Sequence, residues 1–283
     1  MLPFERILFP VDYSDACKAI APYVTETARH FKASLTLAHA YHVWSVPHEE
    51  VVKAANGWPQ RIKPYEKNRL REFAASFFPG LDPEFRVEEG DAGEVIHHII
   101  EHEGTDLVMM PSRGRGIVRR LLLGSTTAKV LHDSSAAVWT CGQSLQSAQP
   151  HYQSILCAVD ESEEAEAVAK AAAYMAKSYK ARLTLMHVLQ YPQGVADLDL
   201  SPYQAAMKEA SCRKLREMND RLNLNASYLV SEEPFLEAIL HQAEAVHADL
   251  IVAGRGMSQG TFSRVWSSLC DIVRESPCPV LSI

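Results

Sequence analysis

The sequence predicts an α/β protein with two tandem domains, each an open, mainly parallel five-stranded sheet with helices on both faces. Two observations predict this class. The chain of 283 residues repeats its own pattern once, and within each copy short apolar runs typical of buried strands alternate with helical patterns. Strands separated by helices need right-handed crossover connections, which produce a parallel sheet.

The repeat is visible in three pairs of segments. Residues 6–15, RILFPVDYSD, match SILCAVDESE 148 residues later, and LTLAHAY at 35–41 matches LTLMHVL at the same offset. Near the ends of the two halves, SSAAVWT and SPCPVLS lie 142 residues apart. A period this long indicates two whole domains rather than a solenoid. We place the domains at 1–143 and 151–283, joined by a polar stretch rich in Ser and Gln.

The elements of the first half follow in a regular order. ILFPV at 7–11 is a short apolar run, as in a strand buried on both faces. Residues 15–32 place apolar side chains three and four positions apart, which predicts an amphipathic helix with Ser14 as its N-cap. The remaining predicted elements are a strand at 34–41, a helix around 61–78, a strand at 84–90, a helix at 93–104, a strand at 106–110, a helix at 126–134 and a strand at 136–140.

The carboxyl ends of three strands define the expected binding edge. Ligands of open parallel sheets bind in the crevice beyond the carboxyl ends of the strands. Asp12, Ala40 and Pro111 follow or end three of the predicted strands. We therefore expect these residues, far apart in sequence, to meet at one crevice.

The stretch PSRGRGIVRRLLLGST at 111–126 has the chemistry of a phosphate-binding loop. Gly114 permits a close backbone approach, and Gly124 precedes Ser125 and Thr126 at a predicted helix start. A helix N-terminus offers free amide donors and the positive end of the helix dipole. The neighbouring arginines, Arg113, Arg115, Arg119 and Arg120, add positive charge. The pattern alone leaves a second interpretation open, namely a flexible loop followed by an ordinary capped helix.

The order of these motifs resembles the ATP-binding members of the universal stress protein family. The family pattern is Val-Asp after the first strand, GxxG after the fourth strand, nine residues, and then Gly-Ser; this chain matches it with Val11-Asp12, and with Gly114, nine residues, Gly124 and Ser125. The resemblance covers almost the whole chain twice, and it implies two Rossmann-like domains in tandem. It implies ATP as the ligand, with any Mg²⁺ held mainly by the phosphates and no metal site of protein ligands. Carried over to this sequence, the nucleotide-binding residues are Asp12, Ala40, Pro111, Gly114, Gly124, Ser125 and Thr126, and Arg113 is added to them for its charge.

Two departures from that pattern bear on function. Pro111 replaces the first glycine of GxxG, and proline has no amide donor. In the second half, Asp160 and Val188 match Asp12 and Ala40, but counting back from SPCPV puts Trp266 at the position of Gly124. Ser267 follows it, and we expect the indole to fill the space of a phosphate. The second domain is therefore interpreted as degenerate for ATP.

Composition and the resemblance together indicate a function. The formal charge of −7 argues against general nucleic-acid binding, no apolar run reaches the length of a membrane span, and six cysteines without a CxxC pair fit a cytoplasmic protein. The resemblance implies a stress-response protein that senses or carries ATP, with at most slow hydrolysis rather than enzymatic turnover. The alternatives are a nucleotide-free scaffold, favoured by Pro111, and an adenylating enzyme, for which the chain lacks an SGGxDS-type loop.

Histidines and the last strands carry further expectations. His97, His98 and His102 share a predicted helix, and a solvated face is expected rather than a metal site, because no third ligand at a diagnostic spacing is visible. His39 and its counterpart His187 indicate a packing or hydrogen-bonding role at a strand end, with a role in a site at the sheet edge as the alternative. Since single-domain family members pair through their last strands, we expect AAVWTC and PCPVLSI to pair within the chain, and a further homodimer is compatible with this.

Overall fold

A computed structural model of the chain describes residues 3–42, 58–114, 123–142, 151–162, 164–189, 201–255 and 262–283. The chain divides into two compact units, Met1–Pro150 and His151–Ile283. Each unit alternates strands and helices, and each forms a parallel sheet. The predicted fold class, two tandem α/β domains, is confirmed.

The first unit has a sheet whose strand order reverses at its centre. The described strands are β1 (Arg6–Pro10), β2 (Ser34–Tyr41), β3 (Glu84–Glu89), β4 (Leu107–Pro111) and β5 (Ala137–Cys141), in the order β3-β2-β1-β4-β5. The described helices are α1 (Asp15–Phe31), α2 (Trp58–Phe77), α3 (Ala92–Glu103) and α4 (Ser125–Asp133). From β1 the chain first winds outward to β2 and β3, then crosses back to β4 and β5. With right-handed crossovers, α1 and α2 cover one face and α3 and α4 the other.

The two central strands, β1 and β4, lie where the direction of winding changes. They pair in parallel, with Leu8 opposite Val108, and Phe9 of β1 lies opposite Leu37 of β2. Leu8, Phe9, Val108 and Leu37 are fully buried, as expected for strands covered on both faces. A crevice opens beyond the carboxyl ends of strands at such a switch point.

Helix α1 shows how the local sequence sets the start of an element. Ser14 is the N-cap, and its hydroxyl accepts a hydrogen bond from the Cys17 amide at 3.2 Å. The helix ends at Lys32, which adopts a left-handed conformation with φ of 54°, a common way to terminate a helix. On the inner face Ile20 and Val24 are buried. The predicted cap and helix are confirmed.

Some predicted boundaries shift. Helix α2 begins at Trp58, three residues before the predicted start. Strand β4 runs through Pro111, where it pairs with Cys141, so Pro111 lies in the strand and not in the following loop. The fixed φ of proline suits the extended backbone at a strand end, where a missing amide costs least.

The second unit repeats the order of elements. Its described strands, in the order β8-β7-β6-β9-β10, are β6 (Ser154–Ala158), β7 (Arg182–Val188), β8 (Ser227–Ser231), β9 (Leu250–Ala253) and β10 (Val280–Ser282). The described helices are α5 (Ala165–Tyr179), α6 (Ser201–Arg221), α7 (Phe235–Ala245) and α8 (Phe262–Glu275). Among the described residues of both units, no helix combines the length and the apolar character that crossing a membrane requires.

Candidate functional site: a cleft in the first unit

A cleft of about 270 Å³ opens at the carboxyl ends of β1, β2 and β4. Helices α1, α3 and α4 contribute the rest of its wall. Of the eight residues predicted to bind nucleotide, seven line this cleft: Asp12, Ala40, Pro111, Gly114, Gly124, Ser125 and Thr126. The sequence prediction that these distant residues meet at one crevice is confirmed, whereas their role toward a ligand stays a prediction.

Arg113, the eighth predicted residue, does not line the cleft. Its side chain is half-buried, and its Nε is buried without a hydrogen-bond partner in the described part of the chain. The other three loop arginines and Gly116 fall in 115–122, outside the described residues. Positive charge from the loop is thus not part of the described cleft.

Asp12 is held by donors from the start of α1. Its Oδ1 accepts hydrogen bonds from the Ser14 amide at 2.9 Å and from the Cys17 thiol at 3.0 Å. Tyr13 between them has φ of 62°, a left-handed conformation that costs a side-chain-bearing residue about 1 kcal/mol. This turn brings the Ser14 amide back toward the carboxylate, so the acid at the end of β1 is fixed in direction.

Cys17 is a cleft residue that the sequence analysis missed. It lines the cleft, yet only 1% of it is exposed to solvent. Burial, followed by the nearby Asp12 carboxylate, raises the pKa of its thiol to about 12. The thiol therefore stays protonated at neutral pH and acts as a hydrogen-bond donor. The sequence signal that could have identified Cys17 is its place in the first turn of α1, five residues after Asp12.

Gly114 lies against the Asp12 carboxylate. A Cβ added at Gly114 would stand 2.6 Å from Asp12 Oδ2, closer than real Cβ atoms approach an oxygen. The absence of a side chain is thus required by the close approach of the acid. The glycine predicted to permit close backbone approach does so, with Asp12 as its first neighbour.

The N-terminus of α4 opens into the same cleft. Gly124 is the N-cap, and no side chain caps the first turn, which carries no acidic residue either. In the same unit α1 and α3 differ, since Ser14 and Asp91 cap them and acids stand in their first turns. The positive end of the α4 dipole is therefore not offset by a local carboxylate.

Thr127, a further lining residue that was not predicted, ties α4 to β4. Its hydroxyl donates to the Pro111 carbonyl at 3.1 Å, and the Gly124 amide donates to the Ser112 carbonyl at 2.9 Å. These bonds fix the first turn of α4 against the end of β4. Ser125 and Thr126 are thereby presented to the cleft on a rigid helix rather than on a loose loop.

His39 closes the opposite end of the cleft. Its Nδ1 lies 2.7 Å from the Val11 carbonyl oxygen, so Nδ1 carries a proton, and its Nε2 lies 3.5 Å from Glu66 Oε2. The equivalent contact in the second unit joins His187 Nδ1 to the Val159 carbonyl at 2.9 Å. The predicted hydrogen-bonding role of these histidines at a strand end is confirmed.

Comparison with known proteins settles the family. The model of the universal stress protein family matches residues 3–141 and again 151–283. The chain belongs to the universal stress protein family. Its two matches agree with the tandem organisation predicted from the sequence.

Known members are similar to the chain in halves and as a whole. Universal stress protein MJ0577 of Methanocaldococcus jannaschii is 25% identical over 150 residues, which is 48% of this chain and 93% of the relative. A universal stress protein of Thermus aquaticus is 32% identical over 142 residues, 48% of this chain and 96% of that protein. The crystal structure of a universal stress protein from Archaeoglobus fulgidus, 20% identical, covers 100% of this chain and 97% of its own with a TM-score of 0.66. At that identity the structural likeness shows the fold alone.

The second universal stress protein unit has a smaller cleft at the matching sheet edge. Its volume is about 120 Å³, and its lining includes Asp160 and Glu164 but no lysine or arginine among the described residues. Phe235, the first residue of α7, occupies the place that Ala92 has in α3 and lines this cleft. The cleft is narrower and more acidic than the one in the first unit.

The helix that follows β9 differs from the prediction. Matching Trp266 to Gly124 predicts a helix that starts at Ser267, but the helix begins at Phe262, so both residues lie inside α8. At the offset of the two ends, α4 would begin at 267, so α8 is longer by more than one turn at its start. A helix continuing through this position has no free amides there, since they are used in its own hydrogen bonds. The displaced helix start is a structural difference between the two units, whereas the degeneracy of the second unit for ATP and the blocking by the Trp266 side chain both stay predictions.

The histidines of α3 show no arrangement for a metal. His97, His98 and His102 are exposed, and His102 Nδ1 lies 2.8 Å from the backbone carbonyl oxygen of His98. Among the described residues, no group of three or more His, Cys, Asp or Glu side chains is placed to hold a metal ion.

Proposed function

We propose that the first unit of this universal stress protein binds ATP in its cleft, and that the protein acts as a cytoplasmic stress-response protein that senses or carries the nucleotide. The observation that carries the proposal is the combination of two groups in one cleft. The uncapped start of α4 faces it from one side, and the fixed Asp12 carboxylate faces it from β1. The order of motifs, which resembles that of ATP-binding family members, also supports ATP as the ligand.

The phosphates would lie at the α4 end of the cleft. Here the amides of the first helical turn and the hydroxyls of Ser125 and Thr126 supply donors to an anion. Gly124 has φ of −65°, a value that any residue adopts, so its backbone does not require glycine. Its missing side chain instead leaves room at the point where the helix start meets the cleft.

The nucleoside would lie toward β1 and β2. A carboxylate accepts hydrogen bonds, and a ribose offers two hydroxyl donors, so Asp12 suits the sugar. Beyond it the lining is apolar or backbone, with Val11, Ala38 and Ala40 at the strand ends. Such a slot suits a flat base, because ligand sites combine an apolar lining with a few placed polar groups.

One ATP per chain is the expected stoichiometry. In the second unit the helix start is displaced, Glu164 adds negative charge at the cleft, and Phe235 takes up space. A triphosphate brought there would find no free amides at the position that matches the start of α4, and it would enter a cleft that holds two carboxylates, Asp160 and Glu164. The Coulomb term and the lost donors both disfavour it.

The described cleft favours binding over chemistry. Near the start of α4 its lining residues are glycine, serine and threonine, which donate hydrogen bonds but do not titrate near neutral pH. Asp12 is the one carboxylate among the described lining residues and lies at the other end. Mg²⁺ would therefore be held mainly by the phosphates themselves, and turnover would be slow.

Pro111 favours a second candidate function, that of a scaffold without nucleotide. A proline at the end of β4 cannot donate an amide to a ligand, and this observation favours a scaffold that binds no nucleotide. The two functions differ in what the purified protein carries. If the protein binds ATP, the purified protein should carry adenine nucleotide, detected by ultraviolet absorbance and mass spectrometry after denaturation. Purified protein that is free of nucleotide and also fails to bind millimolar ATP would support the scaffold function.

A further inference from the structure

The Cys17 thiol is positioned to act on the cleft through Asp12. Its Sγ lies 3.0 Å from Asp12 Oδ1 and 3.7 Å from the Pro10 carbonyl oxygen. Because the carboxylate oxygen accepts and the buried thiol keeps its proton, the thiol donates to Asp12. The Ser14 amide donates to the same oxygen at 2.9 Å. Two donors, from α1 and its N-cap, therefore hold Oδ1, while Gly114 lies close to Oδ2 and restricts its position.

The second unit holds its matching acid with a different donor. Ala165 stands at the position of Cys17, and there the Ser162 hydroxyl donates to Asp160 Oδ1 at 2.5 Å, alongside the Ser162 amide at 3.0 Å. In the first unit the matching hydroxyl, Ser14 Oγ, is used to cap α1. Each unit therefore gives its acid a side-chain donor beside the backbone amide: Ser162, two residues after the acid, in the second unit, and Cys17, in the first turn of α1, in the first.

We propose that Cys17 is a positioning residue of the nucleotide cleft, whose thiol holds the Asp12 carboxylate in the direction in which it accepts the ribose hydroxyls. The inference rests on the proposed function, since it assigns a residue to the sugar end of that same site. Cys17 contributes hydrogen-bond geometry and no covalent chemistry. Without the thiol, Asp12 Oδ1 loses the donor at 3.0 Å, so the carboxylate is held less firmly in this direction and hydroxyl recognition weakens.

Discrimination against deoxyribose is the measurement that separates positioning from packing. Affinities for ATP, 2′-deoxy-ATP and 3′-deoxy-ATP are measured by calorimetry on the full chain. The wild type should lose on the order of tenfold in affinity with at least one deoxy analogue, the worth of one hydrogen bond to a charged group. Cys17→Ala should reduce that penalty to about threefold or less, and Cys17→Ser, which restores a donor, should recover most of it.

Matched variants keep the test decisive. Cys141→Ala removes another buried cysteine of the same unit, at the end of β5, and should lower stability without changing the deoxyribose penalty. Alanine already stands at the equivalent position of the second unit, and Cys17→Val fills the volume without a donor if the alanine variant unfolds. ATP binding with an undiminished penalty in both non-donor variants would overturn the role of Cys17 alone, whereas a wild type that binds no ATP would overturn the proposed function together with it.

Discussion

Replacing Gly114 with alanine perturbs the cleft at one defined contact. The added Cβ would stand 2.6 Å from Asp12 Oδ2, whereas ordinary contact begins near 3.4 Å. Asp12 Oδ2 belongs to a short side chain that is already held by hydrogen bonds from the Ser14 amide and the Cys17 thiol. The carboxylate must therefore retreat by about 0.8 Å, the difference between the two distances, or the loop must move.

The cost follows from the bonds that the carboxylate loses. Donors now at 2.9 and 3.0 Å would be stretched past good hydrogen-bond geometry, and the ribose contact would move with them. A hydrogen bond to a charged group contributes about 1.5–3 kcal/mol. We therefore expect Gly114→Ala to weaken ATP binding by about ten- to a hundredfold.

Gly93 offers a matched control for this substitution. A Cβ added there would also meet an atom at 2.6 Å, but that atom is Cδ of Lys129, within a flexible side chain that can turn away. Gly93→Ala should therefore bind ATP like the wild type in isothermal titration calorimetry. If Gly114→Ala binds as tightly as Gly93→Ala, with both folded by circular dichroism, the contact between Gly114 and Asp12 has no part in nucleotide binding.

Three further predictions concern the helix start, the proline and the assembly. Gly124→Trp should abolish ATP binding, since the indole falls at the start of α4, where the phosphates would lie. Gly124→Ala, whose Cβ meets its nearest protein atoms at 3.4–3.6 Å, is the folded control. Unchanged affinity in the tryptophan variant would mean that the phosphates lie elsewhere. Pro111→Gly should tighten ATP binding by up to about tenfold in isothermal titration calorimetry, because it restores an amide donor. Weaker binding would show that proline stabilises the end of β4 by more than the restored amide contributes to ATP binding. Residues 1–143 expressed alone should sediment as a dimer, since the β5 edge seeks another strand, and a stable monomer that unfolds at the full chain's temperature would contradict pairing between the last strands of the two halves.

Sequence patterns located the elements because local chemistry decides them. The N-cap at Ser14, the apolar runs of β1 and β2 and the position of α4 are all set by neighbouring residues, and the strands meet the predicted bounds to within one residue. The parallel order then brought Asp12, Ala40 and Gly124 to one edge. Topology alone, without any side-chain detail, was enough to group these residues.

The rest depended on three-dimensional contacts. Cys17 looks in sequence like one more apolar position of an amphipathic helix, and only the turn at Tyr13 brings the acid within reach of its thiol. The start of α8 was misplaced because aligning the ends of two repeats assumes equal helix lengths, and α8 continues further toward β9. Arg113 was assigned by its charge, yet it does not line the cleft, and its Nε is buried.

The number of ATP molecules bound per chain tests the central claim most directly. Calorimetric titration of the full chain with Mg²⁺ and ATP should give one site. Asp12→Ala should remove the binding heat, while the matched change in the second unit, Asp160→Ala, should leave both affinity and stoichiometry unchanged. Two equal sites, no binding at millimolar ATP, or binding lost in Asp160→Ala and kept in Asp12→Ala would contradict a single nucleotide site in the first unit.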